Sequence, residues 1–221
     1  SFVKTMDISQ FYDSVQRGKI YALFKNLFQM ENDICWLMTE LVTYNGTLPT
    51  GSPTSQLIVY WAYSKMFEQI KEIALENNCI FTLYVDDMTF SSTGPISMKL
   101  RKDVAVLLKE NGLKAKIKKD HYYQPDAFKV VTGVGIYNGE LKILNSKKKQ
   151  ILDKYKECKV THNLYEIEKL NGMLCSLRQI DSDIFPEIYN FIKHFDKELK
   201  ELSRNGYYRN GGVRCCKKVI G

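Results

Sequence analysis

The sequence predicts an α+β fold in two parts, a mixed strand-and-helix part to about residue 145 and an all-helical part after it. Three observations predict this. β-Branched and aromatic runs such as residues 80–85 (IFTLYV) alternate with stretches of helical periodicity through the first part. From Ser146 onward only the helical period persists. No internal repeat or low-complexity linker interrupts the 221 residues, a length that holds one large domain or two small ones with a real core.

Taken in order, residues 2–8 alternate weakly and read as a buried strand with Asp7 at its end. Residues 16–29 place Ile20, Leu23, Phe24, Leu27 and Phe28 on one helical face. Asn32 or Asp33 caps a second helix running through Trp36, Leu37 and Leu41 to about Tyr44, where Asn45-Gly46 breaks it. A Pro/Gly-punctuated loop over 48–55 leads into a helix predicted over 53–76, with Pro53 in its first turn. Strands at 80–85 and 88–91 flank Asp86-Asp87 as their turn, and a helix over 95–111 is stopped by Gly112. Short strands follow at 114–118, 128–131, 135–137 and 141–143, the last two joined by an Asn138-Gly139 hairpin signal. Helices are predicted over 146–159, capped by Ser146, over 164–179 and over 184–202. Residues 204–221, with Gly206, Gly211 and Gly212, read as a tail that is poorly ordered or borrowed by a partner.

Composition narrows the function classes. Apolar residues make up 44% and charged residues 26%, ordinary for a globular protein, and no apolar run reaches the roughly 18 to 20 residues that span a bilayer. The start lacks a secretory signal, and because position 1 is Ser and 2–8 already reads as strand, the chain is expected to begin inside a longer protein. Six cysteines form no C-x-x-C pair, which points to a reduced, cytoplasmic interior and away from a zinc site. Charge is uneven: residues 1–96 carry 6 Lys/Arg against 10 Asp/Glu, and residues 97–221 carry 26 against 15. An acidic first part beside a basic second part suggests metal-binding carboxylates next to a polyanion-binding surface; a solvated lysine-rich surface is the plainer reading.

The chemistry concentrates at Tyr84-Val85-Asp86-Asp87. Two adjacent carboxylates at a tight turn between apolar strands repel each other and lose solvation unless a cation sits there. Hard divalent ions such as magnesium favour carboxylate oxygens. Asp7 ends another predicted strand and supplies a third carboxylate if the two strands are neighbours. Metals held by such a cluster can activate a hydroxyl and stabilise a leaving pyrophosphate.

With these segments the chain resembles the reverse transcriptases. Asp7 with Phe11-Tyr12 resembles polymerase motif A, and Leu48-Pro49-Thr50-Gly51-Ser52-Pro53-Thr54-Ser55 resembles the motif B loop of bacterial members. Tyr84-Val85-Asp86-Asp87-Met88-Thr89-Phe90-Ser91 resembles motif C in its retron form, and Gly112-Leu113-Lys114 through Lys119 resembles motif D. Val131-Thr132-Gly133 is similar to a V-T-G triplet of retron enzymes implicated in recognising their own RNA, and Leu170-Asn171-Gly172 resembles their thumb.

The resemblance implies a palm over 1–145, an antiparallel sheet with packed helices carrying motifs A to E. It implies a helical thumb over 146–203, the tail over 204–221, and no fingers within this chain. It implies RNA-directed DNA polymerisation on an RNA template with a DNA or RNA primer, deoxynucleotides and Mg2+, with Mn2+ as a substitute. Asp7, Asp86 and Asp87 would be catalytic and would hold metal together with the Ile8 carbonyl. Tyr12 would be a steric gate against ribose, and Thr50, Gly51 and Lys119 would meet the nucleotide. Tyr137-Asn138-Gly139 would grip the primer, Lys147 and Lys148 would lie along the template–primer, and Val131, Thr132 and Gly133 would contact RNA. The other reading is an inactive nucleic-acid-binding fragment of such an enzyme, to which the basic second part lends itself.

Overall fold

The computed structural model describes residues 1–116 and 120–204. The chain divides after Thr132 into two compact units.

In the first unit a four-stranded antiparallel sheet has the order β2-β3-β1-β4, built from β1 (Phe2–Asp7), β2 (Ile80–Tyr84), β3 (Asp87–Ser92) and β4 (His121–Tyr123). Period-2 alternation divides its faces. Met6, Met88 and Phe90 point into the core with Phe81 and Leu83 against them, whereas Thr5, Asp7, Asp87 and Thr89 alternate onto the other face. Helices cover the core face. The short α1 (Phe11–Ser14), α2 (Arg17–Ala22) with its π-helical continuation Leu23–Leu27, α3 (Asn32–Val42), α4 (Ser55–Ala62), α5 (Ser64–Glu76) and α6 (Met98–Glu110) contribute Ile20, Cys35, Val59, Ile70, Leu100 and Val104. Phe90 and Met88 are fully buried, each contributing about 1.5–3 kcal/mol relative to exposure. β5 (Lys129–Val131) closes the unit.

Local chemistry explains the boundaries. The Ser97 side chain accepts the Lys99 N–H at 3.1 Å and caps α6, and Gly112 (φ +76°) ends its last turn in the left-handed region. The single helix predicted over 53–76 is two, because Tyr63 leaves helical geometry (φ −116°, ψ 12°) as its ring packs on Phe11 with centroids 5.6 Å apart. Of the strand predicted over 114–118, residues 117 and 118 lie outside the described residues, Ala115 bridges Ile8, and the described sheet edge is supplied by β4.

The second unit opens with a hairpin, β6 (Val134–Tyr137) and β7 (Glu140–Lys142). Asn138 (φ +50°) and Gly139 (φ +79°) take the two left-handed turn positions that a type I′ hairpin requires. Four helices follow: α7 (Asn145–Thr161), α8 (Leu164–Arg178), α9 (Pro186–Lys193) and α10 (Asp196–Arg204). Their apolar stripes meet at Ile151, Ile167, Leu170, Leu174 and Ile188. The Asn163 side chain caps α8 by accepting the Tyr165 N–H at 3.0 Å. α7 begins one residue before Ser146 and has no side-chain cap. The helix predicted over 184–202 is split where Phe195 packs back on Phe191, with centroids 5.3 Å apart. The predicted tail lies outside the described residues.

Candidate active site

β1 and β3 pair so that Asp7 lies directly opposite Asp87, and Met6 opposite Met88. Because the methionines belong to the core, the aspartates occupy the sheet face turned away from the core helices. Beyond the strand ends the Ile8 N–H donates to the Asp86 carbonyl at 3.0 Å, with no reciprocal bond to the Ile8 carbonyl among the described residues. On the other flank the Lys116 N–H donates to the Asp7 carbonyl at 2.7 Å, and the Ser9 N–H to the Lys114 carbonyl at 2.8 Å. Asp7 is 2% exposed, and Asp86 and Asp87 are half-buried.

The turn that carries the aspartate pair is shifted from its predicted place. β2 ends at Tyr84 and β3 begins at Asp87, leaving Val85 and Asp86 as the two loop residues. Val85 has φ +57°, while Asp86 keeps an ordinary negative φ. Left-handed backbone at the first loop position is a glycine preference, and a β-branched residue there stores about 1–3 kcal/mol of strain. No sequence signal announces this conformation, since valine is the residue least suited to it.

Tyr12 comes next to this cluster through α1. Gln10 (φ +46°) turns the chain out of the sheet, and Phe11, buried against Tyr63 and Phe67, leaves the neighbouring Tyr12 half-buried. Burial raises the Tyr12 phenol above its ordinary pKa, and the nearby charge of Asp86 raises it further. The phenol therefore stays protonated in the field of the aspartate turn.

The other candidate residues lie on other elements of the chain. Thr50 and Gly51 (φ +88°) lie on an exposed loop anchored by fully buried Leu48 and by the Ser55 hydroxyl, which donates to the Pro49 carbonyl at 2.8 Å. A Cβ on Gly51 would meet nothing within 4 Å, so backbone conformation rather than crowding requires glycine there. Val131 ends β5, and Thr132 (φ +46°) and Gly133 (φ +80°) form a second turn of I′ character. Tyr137, Asn138 and Gly139 form the exposed β6–β7 turn. On α7, Lys147 is exposed and Lys148 half-exposed. Lys119 lies outside the described residues.

Fit to a divalent ion follows from donor chemistry. Asp7, Asp86, Asp87 and the Ile8 carbonyl are all hard oxygen donors on adjacent backbone. Among the described residues no three His, Cys, Asp or Glu side chains are gathered closely enough to hold an ion between them. The strand register brings the carboxylate-bearing positions together.

Comparison with known proteins gives a consistent family. Residues 1–136 match the family described as reverse transcriptase (RNA-dependent DNA polymerase). The retron Ec86 reverse transcriptase of Escherichia coli is 26% identical over 204 residues, covering 90% of this chain and 62% of that protein. The retron Se72 reverse transcriptase of Salmonella heidelberg (strain 579083-10) is 28% identical over 107 residues, covering 47% of this chain and 27% of that protein. This chain therefore spans less than two-thirds of the length of either relative. In fold it is similar to a foamy viral protease-reverse transcriptase solved with an RNA/DNA hybrid (TM-score 0.51, 16% identity, 94% of this chain and 27% of that one). It is also similar to an apo telomerase from Candida tropicalis (TM-score 0.52, 14% identity, 65% of this chain and 35% of that one).

Proposed function

The chain belongs to the reverse transcriptase family, and from that premise we propose that it is the palm (1–145) and thumb (146–203) of a retron-type, RNA-directed DNA polymerase, with 204–221 as a tail. The observation that supports this best is the cross-strand pairing of Asp7 with Asp87 beside the Asp86 turn. No helix among the described residues is long and apolar enough to cross a membrane.

In this reading Asp7, Asp86, Asp87 and the Ile8 carbonyl hold two Mg2+ ions, or Mn2+, which when bound neutralise phosphate charge and activate the primer 3′-hydroxyl. The chain's own residues do the rest. Tyr12 presents a neutral ring edge where a ribose 2′-hydroxyl would clash, so deoxynucleotides are preferred. Thr50 and Gly51 offer backbone to the incoming nucleotide, and Lys119 stands by its pyrophosphate. The Tyr137–Gly139 turn steadies the primer, and Lys147 and Lys148 contact template–primer phosphates without reading sequence. Val131, Thr132 and Gly133 meet the cognate RNA.

Primer extension on an RNA template, with this chain within its full-length protein, tests the reading. Asp86→Asn is expected to lower deoxynucleotide incorporation by more than the roughly 10–100-fold typical of losing an outer-shell metal partner. Unchanged incorporation would overturn the polymerase assignment. A nucleic-acid-binding role without polymerisation is the second reading, to which the basic second part lends itself. A salt-sensitive RNA complex indifferent both to Mg2+ and to Asp86→Asn is its signature.

A further inference from the structure

β1 carries a lysine on its core side. Lys4 lies opposite Phe90 and Tyr122 and is 6% exposed, an expensive place for an ammonium group without a partner. Asp120, directly before β4, meets it and also accepts Arg101 from α6. The Lys4 and Asp120 side chains are 7% and 11% exposed, so a largely buried pair, extended by the partly exposed Arg101, makes an ion triad joining β1, α6 and the edge of the sheet. Burial pushes the Asp120 carboxyl up, and the hydrogen bonds and charges of Lys4 and Arg101 more than offset it, leaving it below the ordinary carboxylate range.

The triad lies close to the aspartate site in the chain. Lys4 precedes Asp7 on the same strand, and the Lys116 N–H is bonded to the Asp7 carbonyl, so Lys116 and Asp120 are each tied to β1. Buried ion pairs are a poor source of net stability, since apolar side chains of similar volume often do as well or better. They supply direction instead: a carboxylate shared by two charged donors sets where strand and helix stop sliding along each other.

We propose that Asp120 is a positioning residue that, through Lys4 and Arg101, holds β1 in the register that sets Asp7 opposite Asp87. The inference rests on the metal-binding reading of the aspartates and deepens it. Its test is Mn2+ binding followed by electron paramagnetic resonance, with thermal melting measured in parallel. Lys4→Met combined with Asp120→Leu replaces the buried pair by apolar side chains. The expected result is a melting temperature no lower than the parent's and Mn2+ binding weakened about tenfold, the lower end of the range for lost outer-shell support. Equal Mn2+ binding at unchanged melting would mean that the triad is only packing and would overturn the proposal. A parent chain that binds no Mn2+ would overturn the metal reading itself, and this inference with it. If the double variant melts well below the parent, Arg101→Met, which leaves the Lys4–Asp120 pair in place, decides. Weakened binding then supports the positioning role, and unchanged binding refutes it.

Discussion

The two units differ in how deeply they bury charge. The first buries it: Lys4, Asp7 and Lys129 are each 6% exposed or less, and Lys129 is held by the Pro125 and Ala127 carbonyls at 2.6 and 3.2 Å. In the second, Lys154–Glu157 and Lys200–Asp196 lie on helix surfaces, Glu166 draws Lys154 and Lys169 into a partly sheltered cluster, and the described core residues are apolar. Surface pairs cost little and contribute little. Buried charges cost several kcal/mol each unless paired, so a fold that keeps them has a use for their geometry. The unit that carries the proposed chemistry is the one that bears this cost.

That contrast can be broken by substitution. The largest stability effect is expected from Lys4→Met alone, which leaves Asp120 buried with one partner. Urea denaturation is expected to show a loss of about 3 kcal/mol, whereas Lys200→Ala in the second unit is expected to change nothing measurable. Equal effects at the two sites would erase the distinction.

Acid sharpens it. Because the folded-state pKa of Asp120 is depressed, its contribution is fully present above the unfolded carboxylate value and is lost as pH falls through the folded one. Stability of the parent is therefore expected to decline below about pH 4 more steeply than that of the Lys4→Met, Asp120→Leu double variant, as read by melting across pH 2–5. In the second unit the sign reverses. Hydrogen bonds from Lys154 to Glu166 and Glu157 raise its pKa to about 12, so that smaller surface contribution is lost only in alkali, as pH rises from 10.5 through about 12.

A smaller effect than at Lys4 is expected at the turn. Val85→Gly removes the strain of a left-handed β-branched residue and adds back chain entropy, for a net gain of about 1 kcal/mol in urea denaturation. A loss of stability would show that the Val85 side chain contributes more by packing than its backbone costs.

Much of the fold was legible because local chemistry and tertiary packing agree. Gly112 stops α6, Asn138-Gly139 turns a hairpin, and the apolar stripes of α7 and α8 face one core, as their residue types require. Legibility failed where a tertiary contact overrode the local period, as at Tyr63, whose packing on Phe11 divides one predicted helix into α4 and α5. β4 went unread because His121-Tyr122-Tyr123 is too short to show alternation, and only its pairing with β1 makes it a strand.

For the candidate site, the sequence by itself determined which residues have the right chemistry: an aspartate at the end of one strand, two more at a hairpin, and the order of motifs that identifies the family. Tertiary structure alone decided which of them are neighbours. Asp7 and Asp87 meet through strand register, Asp86 comes near Tyr12 from a remote segment, and Lys4 finds Asp120 and Arg101 from distant parts of the chain. The physical reason is range. Residue type and spacing specify interactions within a few positions, whereas the pairing of remote strands and the burial of remote charges depend on how the whole core closes.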